Sequence, residues 1–261
     1  MSVFCSLYSS SSGNCTYIGT DAGGILIDIG VSAKRAEEAL ISIGVDPSSI
    51  AAVFVTHEHS DHIGGVRVFA HRHSVKVFAS QGTLEGMDEA GVFRSSVDAY
   101  IMPDSGTEAA GIYVRSFRTS HDSYESTGFT AVTPDGRKLA VATDMGFVND
   151  ETAQALIGSD LVLLESNHDV GMLQNGPYPY YLKQRILSDR GHLSNEACSG
   201  FACTLAESGT KHIILGHLSK ENNFPALAYR TTKVALDEAG ACEGGDFFLS
   251  VAGDLNDPVT L

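Results

Sequence analysis

Tryptophan is absent from this chain, proline occurs only seven times in 261 residues, and lysine plus arginine number 17 against 32 aspartates and glutamates. Five cysteines, Cys5, Cys15, Cys198, Cys203 and Cys242, are scattered, odd in number and never spaced as a CxxC pair. This excludes a disulfide scaffold and a closed thiolate zinc site, and it fits a reducing compartment with small, buried thiol side chains. No run of 18 apolar residues exists, so no membrane-spanning helix is expected. The opening MSVFCSLYSSSSGN lacks a basic stretch followed by an apolar one, so it does not read as a signal peptide. A cytoplasmic location is the expectation, with no membrane partner. The formal charge of -15 excludes a protein that coats nucleic acid through general phosphate attraction. An enzyme whose acidic residues gather around cations escapes that objection, because bound divalent ions invert the local field.

What is present is a substantial apolar fraction without a linker, repeat or low-complexity segment. One domain over residues 1–261 is expected. Apolar or β-branched runs predict strands at Val3–Leu7, Cys15–Ile18, the stretch ILIDIG, Val53–Thr56 and Val75–Phe78. Further strands are expected at Val97–Ile101, Ile112–Phe117, Gly128–Thr133, Lys138–Ala142, Leu161–Glu165, Lys211–Gly216 and Phe247–Val251. Helices are predicted over Ala33–Ile43 behind a Ser32 cap, Asp61–Arg72, Gln81–Ala90, Ser194–Ser208 and Pro225–Ala239. Strands and helices are interspersed around a mid-chain meander. An α+β fold with two packed sheets flanked by helices accommodates that order.

The chemistry is concentrated in VFVTHEHSDHIGG, where His57, His59, Asp61 and His62 fall within six residues. A β-branched strand runs straight into His57. Alternation sends His57 and His59 to one side, while Asp61 and His62 lie at the turn into a helix. One cation could take the first two imidazoles and a second Asp61 with His62; a single four-ligand site is sterically tight over so short a stretch. Imidazole and carboxylate donors suit zinc, manganese or iron. Three other apolar strands end in a donor: His121 after IYVRSF, Asp144 after KLAVAT and His217 after HIILG. Rigid strands that each deliver a donor at the same end can aim a site.

The signature THEHSDHIGG resembles that of the metallo-β-lactamase fold superfamily. The opening CSLYSSSSGNCTYI, the strand ILIDIG and the late ESNHD and GHLSKENN resemble the YycJ (WalJ) group within it. That group is associated with 5′-to-3′ exonuclease activity on DNA and is related to tRNase Z, RNase J and the PhnP phosphodiesterases. The resemblance covers essentially the whole chain. It implies a four-layer αββα sandwich with the site along one edge and two divalent ions per chain. His57, His59 and His121 would hold one ion; Asp61, His62 and His217 would hold the other, with Asp144 bridging and Asp61 also serving catalysis. Asp28 would order the histidine-bearing loop from beneath. Such a pair of ions would activate water for attack at phosphorus. His192, in RGHLSNEA, resembles the acid histidine of tRNase Z-like enzymes and would protonate the leaving oxygen.

Other residues are candidates by position. Glu165 ends a core strand and could support the site; His168, three residues on, could touch substrate, support a ligand or cap a turn. The Ser9–Asn14 turn, with Ser11, Ser12 and Asn14, could cradle phosphate, and Lys220 beside His217 could contact it. In the segment Asp169–Arg190, Tyr178, Tyr180 and Tyr181 could stack on bases while Lys183, Arg185 and Arg190 meet phosphates. His71 and His73 read as solvent-facing and His212 as structural. Three functions are compatible with these residues: a nuclease acting on nucleic acid, with DNA favoured; a phosphodiesterase for small or cyclic diesters, which suits the acidic surface; and a non-catalytic metal-bound interaction or sensory module. Composition and motifs leave the oligomeric state open.

Overall fold

Ile25 and Ile27 face one side of a strand and Leu26 the other, yet all three are fully buried. The same holds for Ala52, Val53 and Phe54 and for the run from Leu161 to Leu164. Strands apolar on both faces must lie between two layers, and the computed structural model, which describes residues 1–94 and 97–261, supplies them.

The first sheet contains β1 (Val3–Ser10), β2 (Gly13–Thr20), β3 (Gly23–Ile27), β4 (Ile50–Phe54), β5 (Lys76–Ala79) and β6 (Ala99–Ile101). The second contains β7 (Thr107–Ala109), β8 (Ile112–Arg118), β9 (Thr127–Val132), β10 (Lys138–Ala142), β11 (Leu161–Glu165), β12 (His212–Gly216) and β13 (Phe248–Val251). A short β14 (Val259–Thr260) returns to pair with β1, so the first sheet runs β14-β1-β2-β3-β4-β5-β6 and the second β13-β12-β11-β10-β9-β8-β7. The β3–β6 neighbours are parallel, as are β10–β13, while β8, β9 and β10 form an antiparallel meander.

Ile25, Ile27, Phe54 and Phe4 of the first sheet pack against Val114, Phe129, Leu139, Leu161 and Leu163 of the second. The rings of Phe54 and Phe129 meet edge-on at 5.6 Å across that layer. On the outer face of the first sheet, Leu26, Val53 and Val77 pack under α1 (Ala33–Ser42), the short α2 (Ser60–Ile63), α3 (Val66–His73) and α4 (Gln81–Glu89). On the second sheet, α5 (Asp150–Leu156) lies toward the meander. The small helices α6 (Val170–Asn175) and α7 (Tyr180–Ile186) precede α8 (Asn195–Glu207) and α9 (Pro225–Glu238). Cys198, Ala202 and Leu205 of α8 and Ala228 and Leu236 of α9 cover Val162, Leu164, Ile213 and Leu215. The layers are therefore helices, sheet, sheet, helices: the αββα sandwich the sequence led us to expect.

Ser32 caps α1 and Ser194 caps α8, each side-chain oxygen accepting a backbone N–H from the first turn. The helix expected over Asp61–Arg72 is instead two, divided at Gly64–Gly65. A Cβ on Gly65 would lie 2.3 Å from the Val31 carbonyl, so this turn is pressed against the chain leaving β3. Among the cysteines, Cys5, Cys15 and Cys198 are buried; Cys203 is half-buried and Cys242 exposed, which corrects the expectation for those two.

Candidate metal centre

The strands direct their chemistry to one edge. Asp28 follows β3 and His57 follows β4; His121, Asp144 and His217 follow β8, β10 and β12, which all run in one direction. Asp28, Asp144 and His217 share a further property. Each sits in the left-handed backbone region, with φ of 60°, 58° and 55°. A non-glycine residue held there costs about 1–3 kcal/mol and persists only where its surroundings fix it. Three strand-end residues strained alike, all turned into one edge, mark that edge as built for something other than packing.

The outer hydrogen bonds fix which ring nitrogens face inward. The Gly191 carbonyl can only accept, so His121 Nδ1–H donates to it at 3.0 Å and Nε2 carries the lone pair. The Thr56 hydroxyl donates to Asp28 Oδ2, which leaves its oxygen to accept from His57 Nδ1 at 3.0 Å. His62 Nδ1–H donates to Asp28 Oδ2 at 2.7 Å, and His217 Nδ1–H to Glu165 Oε1 at 3.0 Å. Four imidazoles thus aim Nε2 at the centre, each held by an acceptor behind it, an arrangement that orients and strengthens metal ligands.

Two donor sets result. His57 Nε2 and His121 Nε2 lie 3.1 and 3.3 Å from His59 Nδ1. A proton on His59 Nδ1 can serve only one of these two lone pairs well, whereas donors about 2.1 Å from a shared tetrahedral cation lie about 3.4 Å from one another. In the second set, Asp61 Oδ2 is 3.6 Å from both His62 Nε2 and His217 Nε2. Asp144 stands between the sets: Oδ2 is 3.2 Å from His62 Nε2, and Oδ1 is 3.6 Å from His217 Nε2 and 3.8 Å from His121 Nε2. Asp144 Oδ2, apart from its 3.2 Å approach to His62 Nε2, and His217 Nε2 are buried without a well-aligned hydrogen-bond partner among the described residues. Such orphans are costly unless something bonds them, and a hard or borderline cation suits this nitrogen and oxygen set.

Protein charges alone give a consistent picture. Burial opposes protonation of His217, but Asp144, Asp61 and Glu165 outweigh it and push its pKa up to about 10. Burial likewise opposes protonation of His62, which Asp144 and Asp28 nevertheless raise well above the usual histidine range. Burial would raise the Asp144 carboxyl, but His217 and His62 hold it well below the usual range. His57 and His121 are lowered, chiefly by burial. His62 and His217 are therefore held toward the protonated form where a cation would sit, while His57 and His121 are held toward the neutral form.

His192, 15% exposed at the rim, donates its Nδ1–H to Glu165 Oε1 at 2.7 Å, with Asp144 Oδ1 3.6 Å away. Glu165 is fully buried. Its Oε1 thus serves His192 and His217 together, while Oε2 accepts from the Met145 and Leu193 backbone N–H groups. Burial works against its charge, but His192 and then His217 hold it down at about 2. His168 is buried, with no hydrogen-bond partner at either ring nitrogen among the described residues, and burial lowers it to about 4; it does not join the converging donors.

The other expected residues separate. Asn14 is buried and its amide donates to the Ser10 and Asp61 carbonyls, with His62 Nε2 at 3.0 Å. It therefore ties the serine turn to the metal loop. Ser11 and Ser12 are exposed at the tip of that turn, where Lys220 Nζ donates to Ser12 Oγ at 2.8 Å. Arg185 forms a two-pronged pair with Asp122, next to His121. Lys183 faces away, its ammonium donating to the Gln174 and Gly176 carbonyls at the end of α6. His71 is exposed, His73 donates to Glu37, and the His212 ring stacks on Phe248. Sequence reading missed Thr56, Asp122 and the Gly191 carbonyl. Thr56 and Asp122 adjoin His57 and His121, and that adjacency was the available signal.

The fold and the donor sets define a metal-dependent hydrolase, and the comparisons agree: residues 10–198 match the model of the metallo-beta-lactamase superfamily. The chain belongs to that superfamily. It is 38% identical over 245 residues to the exodeoxyribonuclease YycJ of Bacillus anthracis, covering 94% of this chain and 92% of the relative. To the exodeoxyribonuclease WalJ of Streptococcus pneumoniae it is 39% identical, covering 92% and 90%. Zinc-bound PqqB from Methylobacterium extorquens shares the fold with a TM-score of 0.73 at 16% identity, over 100% of both chains. A diphosphatase of the PhnP family does so at 0.70 and 18% identity, over 99% and 96%. No helix among the described residues is long and apolar enough to cross a membrane.

Proposed function

We propose that this chain is a two-metal phosphodiesterase that degrades DNA from the 5′ end, residues 1–261 acting as one catalytic domain. The observation that carries the reading is the junction at Glu165. One carboxylate oxygen orients both His217, a member of the second donor set, and His192, which stands at the rim. A site that only stored metal would not need a protonatable ring held beside its donors. The DNA assignment is supported by relatives named exodeoxyribonucleases that align over nine-tenths of the chain.

His57, His59 and His121 would hold one divalent ion and Asp61, His62 and His217 the other, with Asp144 shared. Zinc and manganese both suit these donors, and iron is compatible. Bound there, the pair supplies Lewis acidity and lowers the pKa of water at the centre, so that attack on phosphorus is possible at neutral pH. The chain's own contribution begins with orientation: Asp28, Glu165, Thr56 and the Gly191 carbonyl hold the Nδ1 side of each ring, so that Nε2 faces the centre and gives up any proton it carries when a cation binds. Asp61, partly exposed at 22%, reaches the solvent side of the second set and can accept a hydrogen bond from an incoming water. His192 gives a proton from Nε2 to the departing oxygen, while Glu165 stabilises the charged ring through Nδ1.

The test is a time course of metal-loaded protein on 5′-phosphorylated single- and double-stranded DNA, RNA and bis(p-nitrophenyl) phosphate. A DNA substrate labelled at the 5′ end should yield labelled mononucleotide first. His192→Ala should keep its metal and lose about 10²- to 10⁴-fold in turnover on DNA. It should lose far less on the nitrophenyl ester, whose leaving group needs no proton. Equal losses on both would sink the acid role. A small-diester function has one observation in its favour: with a charge of -15, the rim cations Arg185 and Lys220 are already engaged by Asp122 and Ser12. Cleavage of the nitrophenyl ester alone would support it.

A further inference from the structure

Helix α7 lies beside the centre, and its three stripes face different ways. Leu182 and Ile186 point inward, and Ile186 is buried. Lys183, on one flank, leans on the end of α6 through two carbonyls. On the opposite flank lie Tyr181 and Arg185, four residues apart and so one above the other on the same face. That flank faces the site: Arg185 is clamped by Asp122, whose Oδ1 is 3.4 Å from His121 Nε2. The clamp uses Nε and Nη2 of the guanidinium, and Nη1 has no hydrogen-bond partner among the described residues. A rigid cation with one free nitrogen therefore stands at the rim of the first donor set. Tyr181 projects from the same stripe about 6 Å along the axis and is 74% exposed. Among the described residues its ring makes no hydrogen bond and stacks on no other ring.

We propose that Tyr181 and Arg185 form a nucleotide-holding pair: Arg185 Nη1 meets a phosphate next to the scissile one, and the Tyr181 ring stacks on a base joined to it. The inference rests on the nuclease reading and specifies how that site grips its polymer. The spacing spans a phosphate and the base of the same nucleotide, and an aromatic face accepts any base. A neighbour supplies the control. Tyr180 is as exposed, at 77%, but sits a third of a turn away, off the Arg185 stripe.

The experiment compares Tyr181→Ala, Tyr181→Phe and Tyr180→Ala, all metal-loaded, on 5′-phosphorylated single-stranded DNA and on bis(p-nitrophenyl) phosphate. Tyr181→Ala should raise KM on DNA about ten-fold, with the small ester turned over as by the wild type. Tyr181→Phe should behave as wild type, and so should Tyr180→Ala. A DNA whose two 5′-terminal residues lack bases should cost the wild type a similar factor and cost Tyr181→Ala nothing more. An unchanged KM for Tyr181→Ala overturns the proposal. So does an equal loss on the small ester, which would mean the helix had been disturbed, or a full further loss on the abasic strand. Wild-type protein that cleaves the ester but no DNA is a different failure: it removes the nuclease reading, and this inference with it.

Discussion

Replacing Glu165 by Gln changes one oxygen to nitrogen at nearly constant volume, and the hydrogen bonds around it dictate the consequence. The carboxylate has four donors to satisfy: His192 Nδ1, His217 Nδ1 and the backbone N–H groups of Met145 and Leu193. An amide has one oxygen. The two backbone donors cannot be reversed, so the oxygen must serve them, and the new NH2 then faces both rings. Each ring must present its Nδ1 lone pair there and carry its proton on Nε2. For His217 that puts a proton where a cation would bind; forcing it off leaves a donor facing a donor in a buried site, a cost of about 1–3 kcal/mol. Affinity at the second set should therefore fall roughly 10- to 100-fold. The His57, His59 and His121 set makes no hydrogen bond to Glu165 and should keep its ion. The assay is calorimetric titration of metal-free protein, followed by elemental analysis after gel filtration. One tight and one weakened ion is the expected result. Two ions bound as in the wild type, or both lost together, would refute the reasoning.

The same geometry sets further outcomes. In metal-free protein the raised pKa of His217 contributes stability that is complete below its ordinary value of 6.5 and is lost as pH rises toward about 10, and His62 acts in the same direction. The lowered pKa of Glu165 contributes stability present above 4.5 and lost as pH falls toward about 2. Tm measured against pH should thus peak between those limits, and divalent cation should abolish the alkaline decline while releasing protons, detectable in weakly buffered solution. Gly30→Ala would set a Cβ 1.6 Å from the Asp61 carbonyl oxygen and 2.7 Å from the Asn14 nitrogen, so Tm should drop by roughly 10 °C or more and the second ion should weaken. Gly200→Ala is the contrast. It lies inside α8 with open space where the Cβ would go, and it should add roughly 0.5–1 kcal/mol.

Much of this was legible because the strands advertise themselves. Runs such as LVLLE and ILID are apolar at nearly every position, and only the interior of a layered fold accepts them. A donor close behind such a run has to stand at a sheet edge, which is why His57, Asp144 and His217 could be read as neighbours despite their wide separation along the chain; His121, three residues past the half-exposed strand β8, gave a weaker signal of the same kind. What the sequence concealed depends on register and on weak local signals. β14 is two residues long, and only its pairing with β1 makes it a strand. The double service of Glu165 needs β11, β12 and the loop before α8 to be aligned in space. Lys183 and Arg185 look equivalent on paper, yet two residues apart on a helix they face nearly opposite ways, one toward α6 and one toward Asp122.

The most direct test is an anomalous-scattering map of crystals grown with manganese or zinc. Two peaks per chain are expected, one amid His57 Nε2, His59 Nδ1 and His121 Nε2, the other amid Asp61, His62 and His217, with an Asp144 oxygen reaching each. One peak bound by all the donors, or none in crystals of active enzyme, would contradict the two-ion centre.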